Sequence, residues 1–123
     1  MKKVGEFTSN IINQLQLNIP IGTPILIGDS NENHIKSRHP YEYEQYFNRL
    51  SDIIANPDYV GLSPKNNSVQ FVKEFIINSE YIRVAVKVTT SKTSFVKTMH
   101  LLSTYNAERY IQKRTLKELD KQS

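Results

Sequence analysis

The sequence contains no cysteine, and only four glycines and five prolines among its 123 residues. Without cysteine there is no thiol nucleophile, no thiolate zinc site and no disulfide, which fits a reducing, cytoplasmic setting. So few glycines leave no Gly-rich phosphate loop, and the G-x-S-x-G turn of a serine nucleophile is absent too. The HExxH spacing of a zinc helix is missing. The carboxylates Asp29, Glu32, Glu42 and Glu44 are too scattered to suggest a magnesium site. No metal or other cofactor is therefore expected. Nothing approaches the ~20 apolar residues of a membrane span. Lys2 and Lys3 resemble the start of a signal peptide, but Val4–Leu17 is too polar for its apolar core. The expectation is a soluble chain with no membrane partner, of single-domain size.

What is present is charge, unevenly placed. The net charge is +4. Residues 1–80 carry 7 Lys/Arg against 9 Asp/Glu, a net of −2, whereas residues 81–123 carry 9 against 3, a net of +6. A basic half on a small domain is the footprint of a polyanion ligand. A solvated, lysine-rich terminal helix would produce the same count.

Periodicity predicts the elements. Thr8–Leu17 offers a cap before Ile11, Ile12 and Leu15, hence a short helix. Pro20, Gly22 and Pro24 then break the chain, so residues 1–24 read as a helical segment and linker, and 25–123 as the main domain. Ile25–Ile27 reads as a buried strand, and Asp29–Pro40 as a polar loop. In Pro40–Ala55 the residues Tyr43, Phe47, Leu50 and Ile54 step by helical spacing, which predicts one long helix. Tyr59–Leu62 reads as a short strand. Val69–Ile77, Tyr81–Thr89 and Phe95–Thr104 alternate as three more, with a polar turn at Thr90–Thr93, and Ala107–Asp120 reads as a closing basic helix. The expected fold is α+β: an antiparallel meander of about four strands with helices packed on one face. The other face would be wet and free to bind a ligand.

The chemically richest segment is Asn33–Pro40, with His34, Lys36, Arg38 and His39 inside it. Histidine gives and takes protons near neutrality. The spacing of five places the two rings on one site only if the chain turns between them. Pro40 pushes His39 out of helical backbone angles, and Ser37 and Arg38 beside it suit a phosphate. The plainer reading makes His39 a helix boundary and His34 a solvated side chain. On the strands, period two puts Arg83 and Lys87 on the wet face of one, and Thr98, His100 and Thr104 on the wet face of the next. Phe95, Lys97, Met99 and Leu101 fall on the other face. Lys73 lies in the inward register of Val69, Phe71 and Phe75, so it must be near an edge, snorkel or pair. Tyr41, Tyr43, Tyr46 and Phe47 read as packing for the long helix rather than as stacking platforms for bases.

These segments resemble a known family. "HIKSRHP", "YFNRLSDIIANPDYVG", "SVQFVKEF" and a closing "STY" before a basic helix are similar to the phage-associated barnase–EndoU–colicin–RelE-like nuclease domains, over about residues 25–115. The resemblance implies a helix packed on a four-stranded antiparallel sheet and a metal-independent endoribonuclease or toxin. RNA, tRNA included, would be its ligand, and an inhibitor or immunity protein its partner. It also implies catalytic roles for His34, His39 and Lys73, for a hydroxyl at Ser103 or Thr104, and for Tyr105; the residues themselves add Arg38, from its place beside His39, and Arg83 and Lys87, from their strand face, as contacts to the nucleic acid. The face argument favours Thr104 for the hydroxyl. Such a site would let the RNA 2′-OH attack its own phosphate, with one of His34 and His39 as base and the other as acid, leaving a 2′,3′-cyclic phosphate. Two other classes fit the same residues: a non-catalytic RNA- or protein-binding module, and a phage structural or accessory domain with incidental histidines.

Overall fold

Alternating β-branched residues build the centre of the molecule. In this computed structural model, which describes residues 1–89 and 91–120, β3 (Tyr59–Leu62), β4 (Val69–Phe75), β5 (Glu80–Val88) and β6 (Ser94–Leu102) form the expected antiparallel meander. The turn expected at Thr90–Thr93 includes Thr90, which lies outside the described residues. The sheet is larger than four strands. Its order is β1-β2-β6-β5-β4-β3-β7, with β1 (Lys2–Glu6), β2 (Pro24–Ile27) and β7 (Lys117–Glu118) added at the flanks. It is mixed, because β2 runs parallel to β6.

Helices cover both faces rather than one. α1 (Ser9–Leu15), α2 (Asp29–Arg38), α3 (Pro40–Tyr46) and α4 (Leu50–Ala55) belong to one side. There Ile11, Ile35, Ile53 and Ile54 pack with Phe7, Phe71, Ile82 and Met99 in the main core. α5 (Thr104–Gln112) covers the other face through a second, smaller core of Val72, Leu102, Ala107 and Leu116. Val72 and Leu102 make one end of that second face apolar, and such a surface is buried rather than left wet. The segment before residue 25 shares the main core. β1 pairs with β2, and Val4, Phe7, Ile11 and Ile12 are buried with the rest.

Several expected elements take another form. Residues 29–38 are helical, not a loop. Only Ile35 is buried in α2, so no apolar stripe announces it. Its ends do: Asp29 and Glu32 stand in the first turn and Lys36 and Arg38 in the last, which matches the helix dipole. The long helix over 40–55 is interrupted by a 3-10 turn at Phe47–Arg49, which re-aims the apolar stripe. Tyr46, Leu50, Ile53 and Ile54 are buried, while Tyr43 and Phe47 stack on each other at 4.7 Å. The closing helix starts three residues early and ends at Gln112, after which Arg114 takes a positive φ and the chain returns as β7. Gly61 makes that return feasible: a Cβ there would overlap the carbonyl oxygen of Thr115.

A β-bulge in β6 matters for everything below. Ala85 pairs with Thr98 but Val86 pairs with Val96, so Lys97 is an extra residue with no partner. Val96 and Met99, three apart, both point into the main core. Unbroken alternation cannot do that, and the bulge turns Lys97 from the expected core face to the opposite one.

Candidate active site

β2 pairs with β6 only at Ser94 and Phe95. Beyond that point α2 and α3 pack along β6. The joint between the two helices is His39. Its N–H donates to the Ile35 carbonyl at 2.8 Å to close α2, and its own carbonyl accepts from Tyr43 at 2.9 Å to open α3. Pro40 fixes the start of α3 and forbids a continuous helix. The chain does not turn between the two histidines, as the spacing of five had required: His39 closes the helix that carries His34 and itself leaves helical angles, at φ −132° and ψ 60°, and the rings of His34 and His39 meet edge-on with centroids 6.3 Å apart. On the other side the His39 ring lies 5.4 Å from that of His100 on β6.

Glu42 ties this row to the sheet. Its Oε2 accepts the Leu101 backbone N–H at 2.9 Å, on a strand edge that would otherwise be unpaired. The same oxygen lies 3.7 Å from His39 Nδ1. That is longer than a hydrogen bond but within ion-pair reach once the ring is protonated.

His100 is held in one protonation state. Arg83 Nε and Nη2 both donate to His100 Nε2, at 3.0 and 2.7 Å. Two donors on one ring nitrogen require that nitrogen to be unprotonated, so the neutral ring carries its proton on Nδ1. Burial first, then the Arg83 charge and the nearby His39, push the ring down to about 4, against a smaller pull upward from Glu42. Burial likewise lowers Arg83 from its ordinary value, with Tyr110 opposing. Arg83 has no carboxylate partner among the described residues.

From Arg83 and His100 a groove of about 400 Å³ runs over the sheet face beside α5. Lys65, Lys97 and Lys113 line it together with Arg83, and no Asp or Glu does. Gln70 also lines it, its Oε1 accepting from Arg83 Nη1 at 3.4 Å. The Thr98 hydroxyl, in the same lining, is buried without a hydrogen-bond partner.

The structure brings together some of the expected residues and not others. His34 meets His39, His39 lies against His100 on the strand face where alternation had put it, and Arg83 is bonded to His100. Lys73 does not join them. It pairs with Ile82 on the main-core side of β4, opposite to Arg83, and its Nζ donates to the Asn56 carbonyl at 2.8 Å. Thr104 and Tyr105 begin α5 instead of ending a strand; both are exposed, and Ser103 caps that helix by accepting from Asn106 N–H at 3.1 Å. Arg38 is exposed at the end of α2. Lys87 shares the parity of Arg83 on β5 but does not line the groove. Sequence reasoning missed Lys97, Lys113, Gln70, Tyr110 and the tie through Glu42. The basic excess after residue 80 was the only signal for the lysines. Among the described residues no group of three or more His, Asp or Glu side chains is arranged to hold a metal ion, and no helix is long and apolar enough to cross a membrane.

Fold and site together define a class: a small α+β protein whose sheet carries a cationic groove with a row of histidines at its end. The chain belongs to the phage-Barnase-EndoU-ColicinE5/D-RelE like nuclease family 3, which it matches over residues 2–109. No curated protein and no solved structure matches it. The family is one of nucleases, and the match begins within β1, so the segment before residue 25 is part of the family's domain.

Proposed function

We propose that this protein is an endoribonuclease that cuts RNA without a metal ion, by attack of the 2′-OH on the adjacent phosphate. The observation that carries the reading is a continuous row, His34, His39 and His100, that ends on Arg83, a cation with no carboxylate partner among the described residues. Two titratable rings and a cation are what this reaction asks of a protein, because the RNA supplies its own nucleophile.

The geometry supports a division of labour. His39 is the base. Glu42 faces its Nδ1, so the Nε2 side is left for the 2′-OH, and the carboxylate stabilises the imidazolium that forms on proton transfer. His34, exposed on α2, is the acid that protonates the leaving 5′-oxygen. Arg83 donates to the phosphate oxygens, whose charge grows in the transition state. His100 is a positioning residue: it fixes the guanidinium through Nε2 and has no proton to give there.

The test is incubation of purified protein with total RNA, tRNA and single-stranded oligonucleotides in EDTA, followed by analysis of the ends. Cleavage to a 2′,3′-cyclic phosphate and a 5′-OH is expected, with DNA and 2′-O-methyl RNA left whole. An RNA panel that stays intact with and without EDTA overturns the reading. If the RNA is bound yet uncut, the protein is a binding module.

A further inference from the structure

Of the histidine row only His100 lines the groove, beside Arg83, and His39 stands next to it. The rest of the groove holds three lysines, an amide, a hydroxyl without a partner and an aromatic side chain, none of which the cleavage chemistry uses. We propose that this part of the groove is a nucleotide-recognition subsite: it takes the phosphate and base of one nucleotide flanking the scissile phosphate, and so sets where the strand is cut. The choice of ligand class rests on the nuclease reading; the site itself stands on its own geometry.

Charge argues for the phosphate. Four cations and no carboxylate line one concave surface, a field of a single sign that attracts and retains an anion. Lys97 is there because of the bulge, a device that re-aims a side chain at the expense of ladder pairing. Lys113 reaches the same surface from the opposite wall, one residue beyond α5.

Size and polarity argue for the base. The volume of about 400 Å³ exceeds what a bare phosphate needs and lies within the range of about 300–1,000 Å³ for small-molecule sites. Tyr110 and Ala85 supply apolar wall, and an aromatic side chain suits a base plane. Gln70 spends only its Oε1, on Arg83, and no bond engages its amide N–H₂ among the described residues. Buried hydroxyls normally have a partner, and Thr98 Oγ1 has none in the protein. An amide donor and a hydroxyl on one sheet face can address the edge of a base.

Mononucleotides test this apart from cleavage, because they contain no bond to cut. Wild-type protein is titrated with the four nucleoside 5′-monophosphates, the four nucleosides and inorganic phosphate, with binding followed by backbone amide shifts. At least one nucleotide is expected to bind about tenfold or more tighter than phosphate or its own nucleoside, shifting the Ala85 and Thr98 amides. Lys97→Ala and Lys113→Ala, both at exposed positions, should each weaken it about tenfold. Thr98→Val keeps the shape and should change the ranking of the four bases while leaving phosphate affinity alone. Phosphate binding as tight as any nucleotide, or shifts confined to other surfaces, overturns the subsite. If RNA is cut normally while mononucleotides ignore the groove, the subsite alone fails. If mononucleotides bind there and no RNA is cut, the nuclease reading alone fails.

Discussion

Acid should destabilise this protein in large part through one side chain, His100. Its ring is buried against Arg83, with His39 on one side and Glu42 nearby. A ring that titrates at about 4 instead of 6.5 resists protonation by about 3 kcal/mol. The unfolded chain has no such resistance. As pH falls below the ordinary histidine range, the unfolded state takes up a proton that the native state refuses, and stability drops. The loss begins near 6.5, is complete near 4, and His100 adds nothing further below that. Above 6.5 the ring is neutral in both states and contributes no pH dependence. Against a total of roughly 5–15 kcal/mol for a domain, about 3 is a large share. Urea unfolding of wild type and His100→Gln between about pH 7 and pH 4 measures it, since glutamine accepts from Arg83 without titrating. The wild type should lose about 3 kcal/mol more than the variant over that window. Parallel curves for the two proteins would show that His100 titrates normally, and the Arg83–His100 geometry would then be wrong.

Further outcomes follow from the site and fold. His39→Ala should lower RNA cleavage by about 10²–10⁴ and flatten one limb of a bell-shaped pH–rate profile. Lys73→Ala, on the far face of the sheet, should leave the rate unchanged; a loss comparable to that of His39→Ala would move the chemistry across the sheet. Arg83→Lys should slow cleavage in the same assay, because one ammonium cannot reproduce two donors from a planar fork; an unchanged rate would remove the guanidinium from the chemistry. Gly61→Ala should cost about 1–3 kcal/mol or more in urea unfolding, since the atom it meets is backbone and cannot rotate away; a near-neutral result would mean that β7 is not docked on β3.

The parts of the fold legible in the sequence were those in which a period or a breaker acts alone. The meander is one: β3 to β6 follow their alternation and turn residues closely. α2 was invisible because it buries one residue, and its evidence lay in the charges at its two ends. β1 and β7 are short strands that exist because the sheet has edges to pair, a tertiary cause with no local period. In the site, His34 and His39 were legible because Pro40 forces a turn after them. Arg83 and His100 were legible because period two places them on one face. Lys97 was not, since an extra residue in a ladder leaves no mark on either side of it. Lys73 shows the opposite case. Its inward register pointed to an edge or a pairing, and it pairs with the Asn56 carbonyl, whereas the family resemblance had assigned it to catalysis.

Lys97 is the residue of β6 that the ladder does not need. Ala85 already faces Thr98, and Val86 already faces Val96. Removing the lysine would let the strand close up with every remaining partner and every core side chain where it stands. One codon therefore separates two versions of this protein with the same interior and different grooves. Charge in the groove can be gained or lost through chain length, without touching the core and without passing through an unfolded intermediate sequence. A Lys97 deletion should remain folded and bind nucleotide weakly, and a deletion that fails to fold would show that the bulge is needed for the sheet as well.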